Sequence, residues 1–342
     1  MTQQKPFKIL SIDGGGIRGV FPAMFLSKLE ARLKETGNEK TQIFQHFDLI
    51  CGTSTGGIIA IALALGIPAH DIYKLYLDNA SNIFGCKKGF FGQLKYAAHE
   101  RNQLEELIQN KFKEKFNGTD PRLKDCKTAV CIPIYDLLLG KPSVLKSNYH
   151  PKFSRDYHIP AYQAALATAA APTFFNPYSG SYTDLNGIEI PFSNKVDGGV
   201  MANNPTLLGI VEAQAAFYQP LENLRVLSLG TGHQKFTDGK ERSKWGLWYW
   251  IKQDGKTRLI DLFMQGQSQQ VQNLISLLQN GIDGEKRGNP VFMYQRIETE
   301  LDETLKIELD ETDPNKLKKL AEKAASEFQN HGTKIIENYC NH

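Results

Sequence analysis

Cysteine is scarce in this chain of 342 residues: there are five, an odd number, with no CxxC spacing. Neither a disulfide framework nor a zinc site is expected from that pattern, and reduced thiols are the default. Cys126 and Cys131 are the nearest thing to a ligand pair, and nothing around them completes a set. Charge of one sign is also missing. A net +3 from 40 basic and 37 acidic residues gives no basis for binding a nucleic acid polymer. It leaves open a membrane surface, which needs only a local patch. Long hydrophobic runs are absent too. The longest apolar stretch, Gly56 to Ala69, is shorter than the ~20 residues a membrane-spanning helix needs. The opening MTQQKPFKILSIDGGG has no signal-peptide core before its glycines, so a cytoplasmic protein is expected. No internal repeat, low-complexity tract or clear linker divides the chain. What is present is ordinary globular composition, 41% hydrophobic and 23% charged, enough for a sizeable core.

Two short β-rich segments run into glycines and then into apolar helices. Phe7–Asp13 (FKILSID) leads to a helix over Pro22 to Leu33, and Phe47–Thr53 (FDLICGT) leads to one over Gly57 to Leu65. Buried strands that each pass through a Gly-rich turn into a helix predict a parallel sheet covered on both faces. Leu77 to Tyr96 reads as less regular, and Arg101 to Phe116 as an amphipathic helix. Thr128–Tyr135 and Leu224–Leu229 are further strands, and Ala161 to Ala171 is a small-residue helix stopped at Pro172. Leu259 to Leu278 is expected to be helical. Asp313-Pro314 supplies an N-cap and a first-turn proline for a charged helix to about Gln329.

Three glycine motifs carry the chemistry. The first is Asp13-Gly14-Gly15-Gly16-Ile17-Arg18-Gly19, in which Gly14, Gly16 and Gly19 also satisfy GxGxxG. Bare N–H groups at a helix start can bind a pyrophosphate or the oxyanion of an acyl intermediate, and a tight turn alone would also use these glycines. The second is Gly52-Thr53-Ser54-Thr55-Gly56, a GxSxG pentapeptide between strand and helix, the setting of a nucleophile elbow. Gly52 and Gly56 would be the small residues that the sharp turn demands, and Ser54 the nucleophile; a Ser/Thr-rich helix cap is the plainer reading. The third is Asp197-Gly198-Gly199, following a polar loop. An acidic residue before paired glycines can reach a neighbouring hydroxyl, or be an ordinary turn aspartate.

DGGGIRG, GTSTG and DGG in that order resemble the patatin-like phospholipases, which share a catalytic core with cytosolic phospholipase A2; ATAAAPTFF and DGGVMANNP add to the likeness. The resemblance implies a three-layer α/β/α fold with a mostly parallel central sheet. It implies a catalytic core over residues 7–213, with 214–342 continuing the same domain as cap, regulatory or oligomer contacts. It makes Ser54 the nucleophile and Asp197 its base, a dyad without histidine. Gly14, Gly15 and Gly16 would supply the oxyanion hole, and Arg18 would support the loop or meet a lipid phosphate. No metal or other cofactor is implied. Over FDLICGTSTGGIIAIAL, LSLGTG, LIDLFMQGQSQQVQ and MYQRIETEL the chain further resembles bacterial patatin-like effectors of anti-phage cyclic-oligonucleotide (CBASS) systems. That likeness implies a cyclic dinucleotide activator, membrane phospholipids as substrate at the inner face of the membrane, and homo-oligomer contacts. A lipid acyl hydrolase without nucleotide control is the alternative.

Other readings use the same residues. Ser54, Asp197 and His233 follow the chain order of an α/β-hydrolase triad, but the usual HGGG loop is missing. A dinucleotide-binding fold should place an acidic ribose ligand about 20 residues past the glycines at a strand end. Glu35 and Glu39 have the spacing without the strand. A non-catalytic storage protein would not need Ser54 and Asp197. Lys87, Lys88 and Lys95 beside Phe90, Phe91 and Tyr96 suit either a membrane-contact lid or a loop folded on its own core. Trp245, Trp248 and Trp250 suit core or subunit packing. Leu301 to Asp313 reads as an acidic, solvated surface.

Overall fold

The structure, a computed structural model, describes residues 5–85, 97–234, 246, 249–250, 258–281, 290–302 and 305–341. Strand β1 (Phe7–Ile12) is buried along its whole length, as an apolar run covered on both faces must be. Helix α1 (Val20–Glu35) follows the glycine turn, then β2 (Leu49–Gly52) and α2 (Thr55–Ala64). Every residue of α2 is buried, because a helix that is apolar all round has no face for water. Next come α3 (Ala69–Phe84), α4 (Asn102–Lys115), β3 (Ala129–Asp136), β4 (Lys141–Lys146) and α5 (Ala161–Thr168). The order continues with β5 (Tyr178–Thr183), β6 (Glu189–Asp197), α6 (Thr206–Phe217) and β7 (Leu224–Leu229). It ends with α7 (Arg258–Asn280), β8 (Met293–Ile297) and α8 (Pro314–Ile335).

The strands form one sheet in the order β5-β6-β3-β2-β1-β7-β8, with β4 on the other flank of β3. β1, β2, β3, β7 and β8 are parallel, whereas β4, β5 and β6 are antiparallel additions. Side chains alternate between two cores, as the pleat requires. Leu10, Ile12, Ile50 and Leu227 pack with α1, α2, α3 and α8 on one face. Ile9, Cys51, Cys131 and Val226 pack with Ile210 and Ala213 of α6 and Ile275 of α7 on the other. β7 and β8, from beyond residue 213, thus belong to the same sheet. α8 lays a stripe of Leu317, Leu320, Ala324 and Phe328 inward, where the Phe328 ring meets Phe25 edge-on at 5.5 Å. Its N-cap is as expected: the Asp313 side chain accepts the Asn315 N–H at 2.9 Å.

The register explains how two distant motifs meet. Cys131 pairs with Cys51 of β2, and Ile134 pairs with Asp197 of β6. Both partners lie on the flank of β3 opposite β4. β2 and β6 therefore lie end to end beside one strand, with their C-termini pointing at each other across the level of Ile132 and Pro133. Pro133 has no N–H to give a ladder, which suits the gap between the two partners.

Several expectations change. Leu77 to Phe84 completes a helix rather than an irregular segment, because Leu77, Ala80 and Phe84 continue the apolar stripe that begins at Ile72. The polar stretch before Asp197 is strand β6, not a loop. Leu301, Leu305 and Ile307 are buried, so the acidic stretch is not simply a solvated surface. α8 runs on to Ile335. The expected contacts of Lys87, Lys88, Phe90, Phe91, Lys95 and Tyr96, and of Trp245 and Trp248, lie outside the described residues. Trp250 meets Tyr249 edge-on at 5.0 Å. Among the described residues no helix is long and apolar enough to cross a membrane, and no group of three or more His, Cys, Asp or Glu side chains could hold a metal.

Candidate active site

β2 ends at Gly52, and the chain turns through Ser54 into α2. Ser54 has φ 54° and ψ −125°, left-handed geometry that a side-chain-bearing residue adopts only under constraint. Two glycines make the turn possible. A Cβ on Gly52 would lie 2.1 Å from the Gly56 carbonyl oxygen, and one on Gly56 would lie 2.2 Å from the Ile12 carbonyl oxygen. The Ser54 N–H donates to Thr168 Oγ1 at 3.1 Å, and that hydroxyl donates to the Pro133 carbonyl at 2.7 Å. Thr53 anchors the other side of the turn, giving its hydroxyl to the Ala202 carbonyl at 2.6 Å.

Asp197 is the last residue of β6, and its N–H donates to the Ala170 carbonyl at 3.1 Å. Its carboxylate is buried and accepts the Gly199 N–H at 2.6 Å. Burial pushes its pKa up to about 7, and the Gly199 N–H it accepts and the neighbouring Ser54 hydroxyl pull against that rise. An aspartate in this setting is a far better base at neutral pH than one in water.

The glycine loop lies beside the elbow. The Gly14 N–H is spent on the Asn203 carbonyl at 3.0 Å, so it is not free for an oxyanion. The N–H groups of Gly15 and Gly16 have no protein acceptor among the described residues, and both glycines line the cavity that holds Ser54 and Asp197. Gly16 has φ 56° and faces the Leu309 carbonyl, 2.3 Å from where a Cβ would sit. Arg18 turns its Nε back toward the Gly15 carbonyl at 3.4 Å. It lines a second cavity and not the first.

The first cavity has a volume of about 380 Å³. Ser54, Asp197, Gly15, Gly16 and Asn203 are among its polar groups, with Thr55 and Tyr76, and its remaining wall is dominated by apolar side chains such as Ile58, Phe84, Leu104, Phe175, Phe263 and Leu309. A slot of that kind suits a hydrocarbon chain with a carbonyl at its polar end. The second cavity, about 530 Å³, is polar and shares Asn203 and Met264 with the first. His233 lines this second cavity, so it is not grouped with Ser54 and Asp197. Glu35 and Glu39 are exposed at the end of α1 and beyond it, away from any strand end.

Sequence reasoning missed four residues. Thr168 holds the elbow amide, and Asn203 presents a buried side-chain oxygen without a hydrogen-bond partner between the two cavities. Arg296 holds Asp13, at the head of the glycine loop, through two hydrogen bonds of 2.9 and 2.7 Å. Ser268 of α7 adds a third contact to Asp13 at 3.2 Å. ATAAAP and NNP pointed toward the first two, whereas nothing in the sequence pairs the last two with Asp13.

Comparison with known proteins fits this architecture. A family model described as patatin-like phospholipase matches residues 10–210. The class is therefore a lipid acyl hydrolase with a three-layer patatin fold. The chain belongs to the patatin-like phospholipase family. It is 31% identical over 344 residues to Patatin-like protein 3 of Arabidopsis thaliana, covering 89% of this chain and 76% of that protein. It is 34% identical over 236 residues to a cGAMP-activated phospholipase of Pseudomonas aeruginosa, covering 68% of this chain and 64% of that protein. Among solved structures, VipD from Legionella pneumophila aligns over 96% of this chain and 67% of its own, at 12% identity and a TM-score of 0.41.

Proposed function

We propose that this protein hydrolyses acyl esters of membrane phospholipids through a Ser54–Asp197 dyad, and that a cyclic dinucleotide switches it on in an anti-phage defence system. The observation that carries the chemistry is a buried carboxylate with a pKa of about 7 in the same apolar cavity as an elbow serine. The ester's acyl chain fills the apolar wall, with its carbonyl carbon over Ser54. As Oγ attacks, its proton passes to Asp197 and the carbonyl oxygen takes the negative charge. The N–H groups of Gly15 and Gly16 would hold that oxyanion, with the positive end of α2 nearby. Collapse of the intermediate breaks the ester bond, and protonated Asp197 returns its proton to the leaving lysolipid oxygen. Water, giving a proton to Asp197, then attacks the acyl-Ser54 carbonyl; the acyl–Oγ bond breaks, Asp197 returns that proton to Ser54 Oγ, and the fatty acid leaves.

Nucleotide control is supported by the likeness to relatives named as cGAMP-activated phospholipases in Pseudomonas aeruginosa and Escherichia coli. The test is release of fatty acid from mixed phospholipid vesicles, with and without a panel of cyclic di- and trinucleotides. Release only with one nucleotide supports the gated effector. Release without any nucleotide supports a constitutive lipid acyl hydrolase. Silence in every tube, while a fluorophosphonate still labels Ser54, would keep the nucleophile and mean that the substrate or the activator lies outside those tried.

A further inference from the structure

The turn between β3 and β4 carries Leu137, Leu138 and Leu139, which are 51%, 61% and 59% exposed. Three consecutive leucines in water are costly to keep without a purpose. The turn is also held still. Asp136 Oδ1 accepts the N–H groups of Leu138 and Leu139 at 3.0 and 3.2 Å, and Lys195 Nζ grips its other oxygen at 2.6 Å. The Leu137 N–H donates to the Asn194 carbonyl at 3.0 Å, and Gly140 closes the turn with φ 61°. The leucines are therefore presented on a braced hairpin rather than on a slack loop.

Their place in the sheet gives the orientation. β3 runs parallel to β1 and β2, so it ends on the edge where the glycine loop and the elbow lie. Asp197 stands opposite Ile134, and β3 runs on two residues to Asp136, so the hairpin tip lies beyond Asp197 on that edge. The same edge has other exposed apolar groups. Val200 and Phe263, 43% and 58% exposed, line the candidate acyl cavity.

We propose that the Leu137–Leu139 hairpin is a wedge that enters a lipid bilayer and sets the cavity mouth against it. The proposal rests on reading the cavity as a phospholipid acyl site, since that places the substrate in the surface the hairpin would enter. A bilayer fits the shape better than a second protein does. Three half-exposed leucines offer roughly 300 Å², well short of the about 800 Å² per partner that a stable protein interface buries. An interfacial anchor needs only a small apolar insertion, and exposed Lys141 beside the tip suits anionic head groups.

The test separates binding from hydrolysis. Flotation with vesicles of phosphatidylethanolamine and phosphatidylglycerol, with cGAMP in every tube, compares Ser54→Ala with Ser54→Ala carrying Leu137→Ser, Leu138→Ser and Leu139→Ser. The expected result is roughly tenfold or greater loss of vesicle binding. In the otherwise wild-type protein the triple serine change should leave turnover of a water-soluble short-chain ester unchanged, which also shows that it folds. A separate Leu138→Trp protein should gain fluorescence quenching by brominated lipids over its parent. Equal binding by the two proteins, or no binding by Ser54→Ala alone, would overturn the proposal. A change in molar mass by light scattering with vesicle binding intact would overturn it in favour of self-association. Leucine-dependent binding by a protein that releases no fatty acid would uphold the wedge and remove the phospholipase reading.

Discussion

Arg296 holds Asp13 with both terminal nitrogens, at 2.9 and 2.7 Å, although 283 positions separate them in the chain. The pair is buried, and Arg296 also reaches Ser228 at 2.7 Å and Glu298 at 2.5 Å. Glu298 in turn accepts the Gly232 N–H at 2.8 Å. One guanidinium thus ties the head of the glycine loop to β7, β8 and the turn after β7. Removing one member should leave a buried charge without its partner. Arg296→Met is expected to lose on the order of 3–5 kcal/mol in urea unfolding, and the double change with Asp13→Asn should recover part of it. A single variant as stable as wild type would show that the pair does not hold the loop.

Ser54 is kept in left-handed geometry, and that geometry has a stability signature. Glycine adopts it freely, so Ser54→Gly should be more stable than wild type by about 1 kcal/mol while losing hydrolysis. Thermal melts of Ser54→Gly and Ser54→Ala side by side check this, because alanine keeps the strain. If Ser54→Gly melts below Ser54→Ala, the elbow is not strained.

In the proposed mechanism Asp197 links activity and stability to pH in opposite senses. As the base it must be ionised, so kcat/KM should rise with a midpoint near its pKa of about 7 and level off above it. The folded protein holds this proton more tightly than the unfolded chain, whose aspartate titrates near 4. The resulting contribution is fully present below about pH 4 and is lost as pH rises through about 7. The loss is on the order of 4 kcal/mol at most. Asp197→Asn should abolish the rise in activity and flatten stability over the same interval. A wild-type midpoint near pH 4 would show that burial does not tune this carboxylate.

Gly15 meets its constraint on the side away from the substrate. A Cβ there would lie 2.2 Å from Thr231 Oγ1, so a side chain would displace the loop rather than fill the cavity. Gly15→Ala should cut hydrolysis by tenfold or more, and Thr231→Gly in the same protein should restore part of it. Full activity in a folded Gly15→Ala protein would remove Gly15 from the oxyanion site.

The elbow turn was legible in the sequence because its demands are local: Gly52 and Gly56 clash with atoms brought near by the turn itself or by the neighbouring strand, whereas Gly15 and Gly16 of the first glycine turn meet Thr231 and Leu309 from far along the chain. β6 was hidden because Ser193, Asn194 and Lys195 look like loop residues, and only pairing with β5 and β3 makes them a strand. Leu301, Leu305 and Ile307 were hidden among acids because some of those acids are themselves drawn inward by partners, Asp310 by His99 at 3.2 Å and Glu311 by Lys316. The Asp13–Arg296 pair could not be read at all, since neither residue's neighbourhood announces the other. The placing of Gly14 was also beyond the motif: its N–H goes to the carbonyl of Asn203, four residues past the third glycine motif.

The most direct test is fatty-acid release from phospholipid vesicles by wild-type protein and Ser54→Ala under the same conditions, with folding checked by circular dichroism. The expected result is release by the wild type with an acyl group detectable on the Ser54 peptide by mass spectrometry, and a loss of at least about 10³-fold in the variant. Undiminished release by folded Ser54→Ala would contradict the account.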